Sequence, residues 1–73
     1  MANPVLAFTV GLCLMGRNGE LVPYDTDHIE ADSEVDAVRL AKQWAQAVTL
    51  AEDSYLQVLQ DGKAVASFKP GEF

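Results

Sequence analysis

A chain of 73 residues with one cysteine and one histidine has room for a single domain, 1–73; it excludes an internal disulfide and gives no expectation of a four-ligand structural zinc site. The net charge is −6, and Arg17, Arg39, Lys42, Lys63 and Lys69 are the only bases, scattered along the chain. Phosphate neutralisation needs a concentrated basic face, so neither nucleic acid nor an anionic membrane is an expected partner. Domains of this length bury only roughly 60–65% of the surface their unfolded chains expose, and with disulfide and metal set aside a partner subunit is the expected supplement.

The first element is legible as a strand. Leu6, Phe8, Val10, Leu12 and Leu14 occupy every even position, and a period of two sets them on one face. The odd positions, Val5, Ala7, Thr9, Gly11, Cys13 and Met15, are smaller but still mostly apolar. No Lys or Arg precedes this run and Arg17 follows it, so it does not fit a secretory leader. Eleven residues are also too few for a bilayer-spanning helix, and the expected location is cytoplasmic. Asn18-Gly19 predicts a type I′ turn. Glu20-Leu21-Val22 is the returning strand, kept short or at an edge by Pro23. Asp25 to Asp27 reads as loop, and His28-Ile29-Glu30-Ala31 as an extended piece leading onward.

A helix is predicted over about 33–50. Ser33 with Asp36 three residues later resembles a capping box, and Glu34 and Asp36 suit the positive end of the helix dipole. Ala37, Leu40, Ala41, Trp44, Val48 and Ala51 follow one buried stripe. The pattern fades at Ala51-Glu52-Asp53. Tyr55–Gln60 and Lys63–Phe68 then flank Asp61-Gly62, a preferred two-residue hairpin turn. In plain register that turn sets Gln60 opposite Lys63, Val58 opposite Val65 and Leu56 opposite Ser67. The other face then carries Tyr55, Gln57, Leu59, Ala64, Ala66 and Phe68. Pro70-Gly71 ends the strand.

The predicted fold class is therefore α+β, in ββαββ order, with an antiparallel sheet of about four strands and the helix on one face. A single helix covers only one face, whereas antiparallel sheets with a solvated face normally alternate apolar and polar residues. Apolar residues on both faces leave two readings: strand one is simply central, with scattered exposed apolar residues, or the second face has a further cover, for which self-association, sheet on sheet or edge to edge, is the expected form.

Chemistry-bearing residues are few. Asp25, Asp27, Glu30, Asp32, Glu34 and Asp36 place six acids within twelve residues with no Lys or Arg among them. Oxygen ligands of this kind suit a weakly bound divalent cation, with Asp25, Asp27, His28 and Glu30 as the candidates. The spacing fails the EF-hand pattern, because Ile29 takes the fifth loop position and Glu30 stands where glycine is needed. A solvated acidic segment that caps a helix accounts for it more simply. His28 beside Asp27 has the makings of an oriented base, but no nucleophile or pocket motif accompanies it. Cys13, inside an apolar strand, reads as a small buried hydrophobe, and Trp44 as a core anchor. Gly11, Gly16, Gly19 and Gly62 read as a strand irregularity and turns. No enzymatic activity and no cofactor are expected.

With the elements placed, the stretches Glu30-Ala31-Asp32-Ser33-Glu34-Val35-Asp36-Ala37 and Gln60-Asp61-Gly62-Lys63 resemble those of small bacterial ββαββ domains of unknown function. That resemblance implies the fold and no activity. The start of the helix is also similar, more weakly, to that of HicB-type antitoxin domains, a resemblance that implies binding of a toxin partner; joined to the net charge of −6, it gives the expectation of an acidic inhibitor of a basic partner protein. The leading functional expectation is a non-enzymatic protein–protein interaction module, homodimeric or bound to another protein. The antitoxin-like inhibitor and the divalent-cation binder are the alternatives.

Overall fold

The computed structural model describes residues 5–48 and 53–73. Its elements are β1 (Leu6–Met15), β2 (Leu21–Ala31), α1 (Glu34–Val48), β3 (Tyr55–Gln60) and β4 (Lys63–Phe68). The four strands form one antiparallel sheet in the order β2-β1-β3-β4. The fold is α+β, as expected. β1 is central, which is where a strand apolar on both faces belongs.

The helix covers the even-numbered face of β1. Phe8, Val10 and Leu12 from β1, Leu56 and Val58 from β3, and Ala31 at the end of β2 are buried with Ala37, Ala41 and Ala45. Those three alanines recur every four residues on one helix row, and their short side chains let the helix lie close to the sheet. The innermost row is therefore not the predicted stripe of Ala37, Leu40, Ala41, Trp44 and Val48. Leu40, Trp44 and Val38 are half-buried flanks of the alanine row, and Val48 is exposed. The larger side chains fit only where the helix surface curves away from the sheet. The predicted helix end at residue 50 and the stripe position Ala51 lie outside the described residues.

Ser33 begins the helix as its sequence predicts. Its Oγ accepts the Asp36 amide at 3.2 Å and its carbonyl accepts the Ala37 amide at 3.0 Å. The reciprocal half of a capping box is replaced: the Asp36 carboxylate accepts from Arg39 Nε at 3.1 Å and also pairs with the same guanidinium's Nη2.

Two turns and two bulges set the register. Asp61 (φ 54°) and Gly62 (φ 80°) both have positive φ, as a type I′ turn demands. At Asn18-Gly19 the outcome differs. Only Gly19 has positive φ (83°), the Gly19 amide donates to the Gly16 carbonyl at 3.1 Å, and the Gly16 amide to the Glu20 carbonyl at 2.7 Å. This is a three-residue loop, in which a tight turn is followed by a left-handed glycine. β2 is also longer than predicted: Asp25–Asp27 is strand, continuous from Leu21 to Ala31. Pro23 is accommodated because Leu12 pairs with Asp25 and Cys13 with Pro23, leaving Tyr24 as an extra residue in a bulge. A bulge on an edge strand is a position that tolerates a missing amide donor. Gly11, read from sequence as an irregularity, pairs regularly with Thr26 and Gln57.

The second bulge overturns the predicted facing of β4. Leu59 pairs with Ala64 but Val58 pairs with Ala66 and Leu56 with Phe68, so Val65 is the extra residue. One inserted residue flips everything beyond it. Ala66 and Phe68 thus turn to the helix side, where Lys42 Nζ sits 4.5 Å from the centroid of the Phe68 ring, within cation–π range. After Pro70 and Gly71 (φ 86°) the chain folds back, and Phe73 packs against the same core.

Two substitutions test this packing. Ala41→Leu forces three extra heavy atoms into a site with no exposure and is expected to destabilise the fold by about 1–3 kcal/mol in urea unfolding. Ser33→Ala removes the cap and is expected to cost about 1 kcal/mol, with the first helical turn losing amide protection before the rest.

Candidate functional site

Alternation along the sheet decides which candidate side chains share a face. Opposite the helix stand Ala7, Thr9, Gly11 and Cys13 of β1, Thr26, His28 and Glu30 of β2, Tyr55, Gln57 and Leu59 of β3, and Ala64 and Ser67 of β4. The helix-side register of β2 holds Asp25, Asp27 and Ile29, across from Leu12, Val10 and Phe8. The four residues proposed from sequence as cation ligands are thereby divided. Asp25 and Asp27 lie on one face, His28 and Glu30 on the other. Among the described residues no three His, Cys, Asp or Glu side chains come together as a metal-holding group.

His28 and Asp27 do not form an oriented base either. The Asp27 carboxylate accepts the backbone amide of His28 at 2.8 Å, and the imidazole turns across the strand pair, its Nδ1 3.3 Å from Thr9 Oγ1. His28 and Thr9 belong to an open concavity of about 390 Å³ that also involves Ala7, Glu30, Leu59 and the Asp61-Gly62 turn. Its floor is a β-sheet surface carrying a single imidazole.

Cys13 lies on the open face at the end of the β1–β3 seam, yet it is fully buried. Its Sγ–H donates to Gln57 Oε1 at 3.6 Å. Burial raises the thiol pKa above its ordinary range, because an apolar setting penalises the thiolate. That is the reverse of nucleophile activation, and the small-hydrophobe reading fits the position.

The β1–β2 hairpin reaches beyond the third strand. β1 pairs with β3 only from Thr9 to Cys13, while its pairing with β2 continues through Leu14–Val22 and Met15–Leu21. Leu14, Met15 and Val22 are each about half exposed, at 45%, 49% and 49%. At the base of this arm, the Tyr24 hydroxyl hydrogen-bonds Ser54 Oγ. Since β1 lies between β2 and β3, this contact bridges over the central strand and ties the bulge to the residue before β3. It partners the buried hydroxyl of Ser54. Sequence reasoning passed over both residues; the one available signal was an aromatic set among Pro23, Asp25, Thr26 and Asp27.

No described helix is long and apolar enough to cross a membrane. Comparison of the chain with protein-family models, with curated proteins and with solved structures finds no match.

The Cys13 environment makes a testable statement about pH. A raised folded-state pKa means that the native state holds the proton more tightly than the unfolded chain does. The resulting stability is complete below the ordinary thiol range and is lost as pH climbs through the folded-state value. Cys13→Ala is expected to flatten the alkaline limb of the stability profile. In the native wild type, a disulfide-exchange reagent at mildly alkaline pH should label Cys13 far more slowly than in guanidinium; equal rates would contradict the burial.

Proposed function

We propose that the chain is a non-enzymatic protein-interaction module that self-associates, with the projecting end of the β1–β2 hairpin as the contact. The observation that carries this is the arm itself: Leu14, Met15 and Val22 stand half exposed beyond the point where β1 leaves β3. A two-stranded ribbon is marginal in water without an apolar face to pack against, and clustered exposed apolar side chains mark association surfaces. In the register, Leu14 and Val22 share one face of the ribbon, and Met15 and Leu21 the other. A second arm related by a two-fold axis would present the same residues to them.

The open sheet face is a weaker seat for the dimer than its sequence suggests. The bulge at Val65 turns Ala66 and Phe68 away from it, and Gly11 and Cys13 on the interior strand β1 are already buried.

A second reading, an acidic protein that engages a basic partner, is favoured by one observation. β2 carries Asp25, Asp27 and Glu30, all exposed, with no Lys or Arg.

Sedimentation equilibrium between about 1 and 100 μM, a range that brackets common micromolar association, tests self-association. The wild type is expected to dimerise in it. Leu14→Glu is expected to weaken dimerisation at least tenfold while leaving the far-UV circular dichroism unchanged. A wild type that stays monomeric throughout would end the proposal.

A further inference from the structure

The outer edge of β2 has unusual chemistry for a sheet edge. As an end strand of the sheet, β2 turns every second amide and carbonyl away from β1, a ready template for another strand. Two contacts show which ones. Thr9 and His28 are direct partners whose side chains meet at 3.3 Å, and the His28 amide is taken by Asp27 Oδ1 at 2.8 Å. This is the behaviour of a non-hydrogen-bonded antiparallel pair, in which side chains are close and the backbone polar groups face outward. Thr26 and Glu30 pair with Gly11 and Ala7 in the same phase, so their amides and carbonyls lie on the free edge as well. Asp27 thus acts as an internal guard: its carboxylate occupies the edge donor that an incoming strand needs.

We propose that this edge, Asp25–Ala31, receives an extended basic segment of a partner protein as an added antiparallel strand, with a Lys or Arg side chain drawing the Asp27 carboxylate off the His28 amide. The proposal rests on the acidic-partner reading and names its surface. Charge selects the occupant. Asp25, Asp27 and Glu30 are exposed along the edge, so a neutral strand would meet an occupied amide and an acidic one like charge as well, whereas a basic one exchanges the internal contact for an ion pair. Charge also selects between the two edges of the sheet. The β4 edge is only six residues long, is interrupted by the bulge at Val65 and carries Lys63, with Lys69 immediately beyond it, so it repels the same segment. β-augmentation of this kind draws affinity from main-chain hydrogen bonds and selectivity from side chains.

The probes are three synthetic peptides: one alternating lysine with threonine and valine, its glutamate-for-lysine counterpart, and the lysine peptide N-methylated at alternate amides. Amide hydrogen exchange of the full chain, read residue by residue, is the measurement. The lysine peptide is expected to protect the Thr26, His28 and Glu30 amides, with affinity falling as salt is raised. The glutamate peptide should protect none of them, and neither should the N-methylated one, which keeps its charge but cannot extend a sheet. Combining Asp25→Asn, Asp27→Asn and Glu30→Gln should weaken binding about tenfold or more, and Thr26→Pro should abolish it by removing an edge donor that the β1 ladder does not use. Protection by the N-methylated peptide equal to that by its parent would overturn the proposal. So would changes mapped to β4 or α1, which would leave the acidic-partner reading standing; absence of any binding would end both. Protection of the same amides that rises with protein concentration alone would assign the edge to a second copy and overturn it too.

Discussion

The structure depends on how closely one helix can approach one strand pair. Ala37, Ala41 and Ala45 give α1 a face with almost no relief, and Phe8, Val10, Leu12, Leu56 and Val58 supply the bulk from below. Large residues on the sheet against small residues on the helix is one of the few ways a single 15-residue helix can close a core of this size at normal packing density. The arrangement also explains why β1 must be central. Its even residues are the floor beneath the helix, and its odd residues Gly11 and Cys13 are small enough to be buried by their neighbours on the face the helix does not cover.

The two bulges are the second determinant, because each re-aims one side chain or more. The extra residue at Val65 brings Phe68 under Lys42 and completes the helix-side layer. The extra residue at Tyr24 gives that ring a route to Ser54. Both lie on edge strands, where the extra residue costs a ladder interruption on one side only. They also leave the two edges of the sheet chemically unlike each other, one long and acidic, the other short and flanked by lysines.

Much of this was legible in the residues, and the exceptions have physical causes. The period of two from Leu6 to Leu14, the cap at Ser33 and the Asp61-Gly62 turn are local signals, and each produced the element expected. What failed needed information from a neighbouring strand. No local pattern distinguishes a plain Lys63–Phe68 strand from one with an extra residue at Val65, since the choice is made by where Phe68 finds apolar cover. Asp25–Asp27 reads as loop by composition, but an edge strand with one free side tolerates charged residues that an interior strand would not. Asn18-Gly19 marked the right place for a turn, yet its type depended on Gly16 and Glu20 closing the loop. The candidate ligands Asp25, Asp27, His28 and Glu30 were close in sequence, and strand alternation, invisible once the segment was read as loop, sent them to opposite faces.

The strand order β2-β1-β3-β4 carries a kinetic consequence. Both hairpins join neighbours in sequence, but the β1–β3 seam that unites them pairs Cys13 with Tyr55 and Thr9 with Leu59, so the central contact joins residues more than half the chain length apart. Loop-closure entropy must be met before that seam returns any stabilisation. The hairpins and the capped helix can form early and locally, whereas cooperative folding waits on the docking of two preformed halves. Until they dock, the apolar flank of β1 that β3 will cover is itself an open edge, so the same seam that completes the native sheet is the place where a crowded, partly folded chain would pair with the wrong molecule.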